Sequence, residues 1–346
     1  MSKYLDYHIW HELSRRAIEL AIKTDVKNFV VNYENRIISY DRDFDGYVIS
    51  GMGGSGIVGD IIRDLAYDRI DKNIIVIKDF TLPRHITKGN YLIFSISYSG
   101  NTRETIDFTL KALKHGLPII AITTDGVLEK LCRKYNIPLI NVPKATAPRY
   151  GLPSLLYSTL TIISSYEKEI ISNEEINESI EVQKQVINEV ELVRSAAHSI
   201  NGKIPLIYVP SPIASVGLRF KNDLNENAKV AAIVAVFPES EHNDITIHML
   251  KHDNVIPIVV TSSILNTEYQ IHTECIINVI RSYNYDPLVV ELKGKYKLSV
   301  IMYGITLLGL ISLELAYIRG INPIVIEPID RIKNELSKKL EQFHIC

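Results

Sequence analysis

GMGGSGIVGD, residues 51–60, follows the strand-like run YVIS (47–50) and leads into the helix-like IIRDLAYD (61–68). Gly51, Gly53 and Gly56 satisfy G-x-G-x-x-G, and Asp79 closes the next apolar run, NIIVIKDF (73–80), where a ribose-binding acid stands in a dinucleotide fold. A glycine loop between a strand and a helix aims backbone N–H groups at an anion. A pyrophosphate and a phosphomonoester meet that description equally, so the motif alone leaves the ligand open.

Working outward, apolar runs recur at YLIFSIS (91–97), LPIIAIT (117–123) and IPLINVP (137–143), with helical patterns at 56–67, 103–116 and 126–135. Strands separated by helix-length segments imply right-handed βαβ units and a parallel sheet covered on both faces. The segment 147–168 is helical after its Pro-Gly-Pro punctuation, and 172–200 is polar, Glu-rich and helical. The alternation then resumes. IPLIYVP (204–210), VAAIVAVFP (230–238), VIPIVVTS (255–262) and ECIINVI (274–280) read as strands, with helices over 213–228 and 262–273. The fold class is α/β: two doubly wound, three-layer αβα domains in residues 1–168 and 203–346, joined by a helical connection at 169–202. An amphipathic helix over 8–24 precedes them, and a C-terminal helix starts near Pro328.

Composition narrows the partners. A formal net charge of -2 over 346 residues gives no bulk attraction to nucleic acid or to an anionic membrane. Cys132, Cys275 and Cys346 are far apart, which argues against a disulfide framework and a cysteine zinc site and for a reducing, cytoplasmic setting. The N-terminus lacks the basic and apolar blocks of a signal peptide. LSVIMYGITLLGLISLELAYI (298–318) is long enough to span a bilayer. Glu314 interrupts it and no second such segment exists, so it reads as a buried core helix.

The feature that separates the two anions is Ser55 together with SISYSGNTRET (95–105). Two hydroxyl-rich helix starts, after the first and third strands, would converge at the carboxyl edge of the sheet. Ser, Thr and Asn also simply cap helices. Five or six of them at adjoining helix starts point to a phosphomonoester, hence to a sugar phosphate and no dinucleotide cofactor.

GMGGSGIVGD and SYSGNTRET resemble the SIS (sugar isomerase) domain. With FKNDLNENAK (220–229), ESEHND (239–244) and the C-terminal helix they are similar to the bifunctional phosphoglucose/phosphomannose isomerases of archaea and some bacteria. The resemblance implies phosphate binding at Gly53, Gly54, Ser55, Ser97, Ser99 and Thr102. It implies Glu226 as the proton-transferring base and Arg149 as the cation that stabilises an enediolate. It also implies that Lys333 and His242 act at ring opening, with His242 contributed by the neighbouring subunit of a homodimer. The reaction would interconvert glucose 6-phosphate, and mannose 6-phosphate, with fructose 6-phosphate through a cis-enediol, without metal or cofactor, in glycolysis and gluconeogenesis. Without the resemblance, Glu226 is a solvated helix-end acid, Arg149 a loop charge and Lys333 an ordinary tail lysine. His248 and His252, spaced i, i+4, read as a solvated helix face rather than metal ligands. In some members of the family a threonine shortly before the lysine is linked to the mannose epimer, and GINPIVIEPIDRIK (320–333) has none. A non-catalytic sugar-phosphate sensor remains the alternative.

Overall fold

The computed structural model describes residues 5–34 and 36–342; Cys346 and the first four residues lie outside that range. The chain opens with α1 (Trp10–Thr24), which buries Trp10, Leu13, Ala17 and Ala21 against α5. An antiparallel hairpin follows, β1 (Val30–Tyr33) with β2 (Arg36–Ser39), pairing Val31 with Ile38. It has no counterpart in the sequence reading, because four-residue strands carry too little alternation to stand out.

The first sheet contains β3 (Gly46–Ser50), β4 (Asn73–Ile77), β5 (Tyr91–Ile96), β6 (Ile119–Thr123) and β7 (Leu139–Asn141). All neighbours are parallel, in the order β4-β3-β5-β6-β7. The order reverses between β3 and β5, and a ligand crevice opens at the carboxyl ends of such a pair. α2 (Gly53–Ala66) leaves β3 there and α3 (Arg103–Lys114) leaves β5, while α4 (Gly126–Tyr135) follows β6.

After α5 (Leu152–Tyr166) come α6 (Asn173–Val186) and α7 (Val190–Ile200). This polar stretch also supplies core: Ile180, Val182, Val186, Val193 and Ile200 are buried, and both helices pack on α10. The second sheet holds β8 (Ile204–Pro210), β9 (Ile233–Phe237), β10 (Val255–Thr261) and β11 (Leu288–Glu291), in the order β9-β8-β10-β11 and again all parallel. α8 (Ala214–Asp223) follows β8. Both sheets therefore repeat the same reversal after their first strand.

One strand of the sequence reading is corrected. Residues 274–280 belong to α9 (Thr267–Ser282), where Ile276 and Ile280 are buried one turn apart and Asn266 caps the start by accepting from the Tyr269 N–H. The fourth strand is instead Leu288–Glu291, a four-residue edge strand. A run of β-branched residues was ambiguous, and burial every four residues settled it as helix.

α10 (Lys297–Ile318) is apolar around its whole circumference, with a mean hydropathy of 1.9, and its most apolar stretch is buried throughout. It packs against α6, α7 and α8 as a core helix. One continuous hydrophobic cluster runs through it from the first sheet to the second; a smaller cluster around Tyr208, Phe237, Ile276 and Ile280 lies between the second sheet and α9. α11 (Glu327–Gln342) closes the described chain with most of its side chains exposed.

Close packing sets one testable sign. Replacing glycine by alanine in a helix interior gains about 1 kcal/mol from propensity alone. At Gly309 on α10 an added Cβ would sit 1.9 Å from the hydroxyl of Tyr7, itself fully buried. Gly309→Ala is therefore expected to lower the urea unfolding midpoint; a raised midpoint would mean that Tyr7 moves aside freely.

Candidate functional site

The pocket that matters lies where α2 and α3 begin. Gly53 has φ +51, a left-handed conformation that glycine adopts without strain, and it turns the chain straight from β3 into α2. The first N–H groups of α2 have no partner within their own helix and face the pocket. Gly100, at φ +66, makes the matching turn after β5; a Cβ there would lie 1.6 Å from the Asp125 carbonyl oxygen. Ser55 ties the two loops together by accepting a 3.0 Å hydrogen bond from the Tyr98 N–H.

The cavity measures about 440 Å³, within the range of small-molecule sites. Gly53, Gly54, Ser55, Ser99 and Thr102 are among the residues that line it. Ser97 does not reach the surface: it is buried, and its hydroxyl donates to Thr102 Oγ1 at 2.9 Å. Its contribution is to orient Thr102. Asp79, the acid suggestive of a ribose site, is exposed and accepts from the N–H of Thr81 two residues on, closing its own turn.

Arg149 and Glu226 line the same cavity. Arg149 follows Pro148 in a short 3₁₀ turn before α5, and is only 2% exposed. Glu226 sits in a single π-helical turn, Leu224–Ala228, that extends α8. This wider turn presents Glu226 and Asn227, neighbours in sequence, to the same guanidinium. Arg149 Nη1 lies 3.2 Å from Glu226 Oε2, and Arg149 Nε donates to Asn227 Oδ1 at 2.8 Å. The remaining terminal nitrogen donates to the Pro323 carbonyl. Burial pushes the Tyr150 hydroxyl up to about 12, so it stays protonated and donates to Asn227 Oδ1 at 2.9 Å. Burial, together with the neighbouring Arg149 charge, lowers Lys229 below the ordinary lysine value.

Below this group lies a second arginine. Arg219 and Asp223 are both buried and joined at 2.8 Å, and Arg219 also donates to the Arg149 carbonyl oxygen at 2.8 Å. Against the penalty of burial, the Asp223 carboxylate holds the Arg219 guanidinium above its ordinary value.

Lys333 enters from α11, which roofs the pocket with Ile329, Ile332 and Leu336. Those three are 40%, 59% and 48% exposed, an apolar stripe left partly open over the cavity. His242 does not join the group. It lies exposed at the end of a short 3₁₀ turn, Glu239–His242, and is not part of the pocket lining. His248, read as solvated, is instead buried, with Nε2 3.0 Å from the Tyr208 hydroxyl and its ring edge-on to Tyr285. Burial and the nearby His252 push its pKa down. Among the described residues no group of three or more His, Cys, Asp or Glu is arranged to hold a metal ion. The sequence reading passed over Asn227, Tyr150, Arg219 and Asp223 as site components. Asn227 stood in the quoted NENAK motif, but nothing in its spacing signals burial.

Comparison with known proteins identifies the family. Residues 189–336 match the family described as bacterial phospho-glucose isomerase C-terminal SIS domain. The chain is 31% identical to the bifunctional phosphoglucose/phosphomannose isomerase of Pyrobaculum aerophilum, over 97% of this chain and 100% of that one. It is 29% identical to the protein of the same name from Aquifex aeolicus, over 90% of this chain and 97% of the other. Among solved structures, tagatose-6-phosphate ketose/aldose isomerase from Escherichia coli superposes with a TM-score of 0.70 at 16% identity, covering 93% and 94% of the two chains. That likeness speaks to the fold.

The arginine–aspartate pair yields a prediction. Removing one member of a buried ion pair leaves an uncompensated charge and costs about 3–5 kcal/mol, whereas an apolar replacement of both is often near neutral. Asp223→Ala is expected to show the full loss in denaturant melts, and the Arg219→Met/Asp223→Leu double variant to recover most of it. A double variant as unstable as the single one would show that losing the Arg219 bond to the Arg149 carbonyl costs as much as leaving the guanidinium unpaired.

Proposed function

The chain belongs to the family of bifunctional phosphoglucose/phosphomannose isomerases, and from that premise we propose that it interconverts fructose 6-phosphate with glucose 6-phosphate and mannose 6-phosphate at the pocket between α2, α3 and Glu226. It is an aldose–ketose isomerase of sugar phosphates. The observation that carries the assignment of its parts is the 3.2 Å pairing of Glu226 with Arg149, opposite two helix starts able to hold a phosphate.

In this reading the phosphate lies on the N–H groups of Gly53 and Gly54 with the hydroxyls of Ser55, Ser99 and Thr102 around it. Glu226 removes the proton from C2 of the aldose and returns it at C1, and the reverse reaction uses the same carboxylate. Negative charge develops on oxygen as the enediolate forms, and the Arg149 guanidinium stands where it can offset that charge without reorganising. Moving one proton from C2 to C1, with the hydroxyl proton passing from O2 to O1, changes no net oxidation state, so the step calls for no hydride carrier. Lys333 reaches the sugar from the roof and assists ring opening. Epimer tolerance requires the enediol to rotate about C2–C3, and the cavity volume of about 440 Å³ is compatible with that rotation.

His242 completes the site from a second copy. What supports this is its exposure and its place outside the pocket of its own chain. The free thiols of Cys132 and Cys275 suit the reducing cytoplasm, where a sugar-phosphate isomerase meets the intermediates of glycolysis and gluconeogenesis.

Two measurements test these assignments. Glu226→Gln should lower turnover of fructose 6-phosphate by about 10²–10⁴-fold, the usual contribution of a general base, with sugar-phosphate affinity by calorimetry near that of the native protein. Unchanged turnover would remove Glu226 from the chemistry. For the dimer, Glu226→Gln and His242→Asn chains should each be inactive alone. Refolded together at equal amounts they should regain about a quarter of native activity, since each two-fold-symmetric mixed pair holds one intact site. A mixture that stays inactive would place both residues in one chain's site, and a fully active His242→Asn chain would place His242 outside the reaction.

A further inference from the structure

Two buried arginines meet at the base of the pocket and are compensated in opposite ways. Arg219 faces a carboxylate, Asp223, at 2.8 Å. Arg149 is equally buried, yet three of its neighbours are neutral: the Asn227 amide oxygen, the Pro323 carbonyl and the Tyr150 ring, whose centroid lies 4.9 Å from the guanidinium carbon. A buried cation is tolerated when it is hydrogen-bonded, and uncharged acceptors achieve this without cancelling its field. The one ionic contact that remains is Nη1 to Glu226, which lines the cavity with Arg149.

The orientation of the Asn227 amide follows from the bonds behind it. Its Nδ2 donates to Ser312 Oγ at 2.8 Å, while the proton of Ser312 is donated to the Gly309 carbonyl at 2.7 Å. Ser312 can therefore only accept, which turns the amide oxygen toward Arg149 Nε and the Tyr150 hydroxyl. Asn227 is fully buried, so no water competes for these positions.

We propose that Asn227 is a positioning residue whose neutral amide fixes Arg149 without neutralising it, so that the guanidinium charge is delivered to Glu226 and to the enediolate. The inference rests on the roles given above to Glu226 and Arg149, and explains why an asparagine serves where the neighbouring arginine has an aspartate.

Asn227→Asp tests it. The substitution is nearly isosteric and keeps an acceptor for Arg149 and for Tyr150, while adding a negative charge beside the guanidinium. The charged groups facing Glu226 are Arg149, Lys229 and the Arg219–Asp223 pair on its near side, and Lys333 on α11 with Arg103 and Glu104 at the start of α3 across the cavity. The added charge falls beside Arg149, and the bond behind it is kept if Ser312 turns its proton from the Gly309 carbonyl to the new carboxylate oxygen. The expected result is a fall in kcat with fructose 6-phosphate of about 10-fold or more, smaller than the about 10²–10³-fold for deleting a transition-state donor outright. KM should change less than kcat, and the acid limb of the kcat/KM profile should move to higher pH. A purely structural asparagine would lower Tm and leave both kcat and the acid limb at native values in the folded fraction; that result would overturn the proposal.

If Asn227→Asp does not fold, Ser312→Ala makes the same test from behind, releasing the amide without touching Arg149. A reduced kcat at near-native KM supports the inference, and a native kcat overturns it. Glu226→Gln is run alongside. Full turnover in that variant would sink the general-base reading and this inference with it, whereas an inactive Glu226→Gln beside a native-like Asn227→Asp would overturn this inference alone.

Discussion

The structure around the pocket depends on satisfying one guanidinium. Arg149 leaves the turn that ends the first sheet's unit, and its hydrogen bonds go to the π-turn of the second unit and to the segment before α11. Taking a cation out of water is costly, and the cost is met only if each edge finds an acceptor at once. The positions of the 148–151 turn, of Asn227 and of Pro323 are thus set by one side chain. That side chain also lines the cavity. Gly54 fits the same requirement, since a Cβ there would lie 3.2 Å from the Arg149 Cα, so the phosphate loop and the arginine turn approach at contact distance.

Around this centre the two sheets perform different tasks with the same strand order. The reversal between β3 and β5 opens the crevice that α2 and α3 line with N–H and hydroxyl groups. The second unit contributes from the far end of α8, where a π-helical turn replaces the last α-helical one and brings two consecutive side chains to bear on the arginine. The cavity is therefore lined from both halves of the chain, with its roof supplied by α11.

Much of this was legible in the residues. Strong period and punctuation carried the first sheet, three of the four strands of the second, α10 and α11, and the serine-rich second loop favoured a phosphomonoester over a dinucleotide. What escaped had physical reasons. The hairpin at 30–39 and the strand at 288–291 are four-residue strands, too short to establish a period. Residues 274–280 are rich in β-branched side chains that suit either state, and only the burial of Ile276 and Ile280 on one face decides for helix. Ser97 reads as a ligand in the motif, but just past the end of β5 it is buried and bonded to Thr102. The buried set of Asn227, Arg219 and Asp223 was illegible because polar residues in sequence predict exposure, and their burial depends on partners about 70 to 90 positions away, such as Arg149 and Ser312.

The hydrophobic cluster that runs unbroken through both sheets has a consequence for how the molecule fails. Two repeats with separate interiors could melt one after the other, leaving a half-molecule that still folds. Here α2 rests on α8, and α10 belongs to the interior of both units, so neither has a complete core alone. The chain is therefore expected to unfold as a single cooperative body, the crevice at the seam disappearing together with the fold. Severing it between the units would yield two fragments with exposed apolar faces, prone to associate with each other or to aggregate, rather than two smaller working proteins.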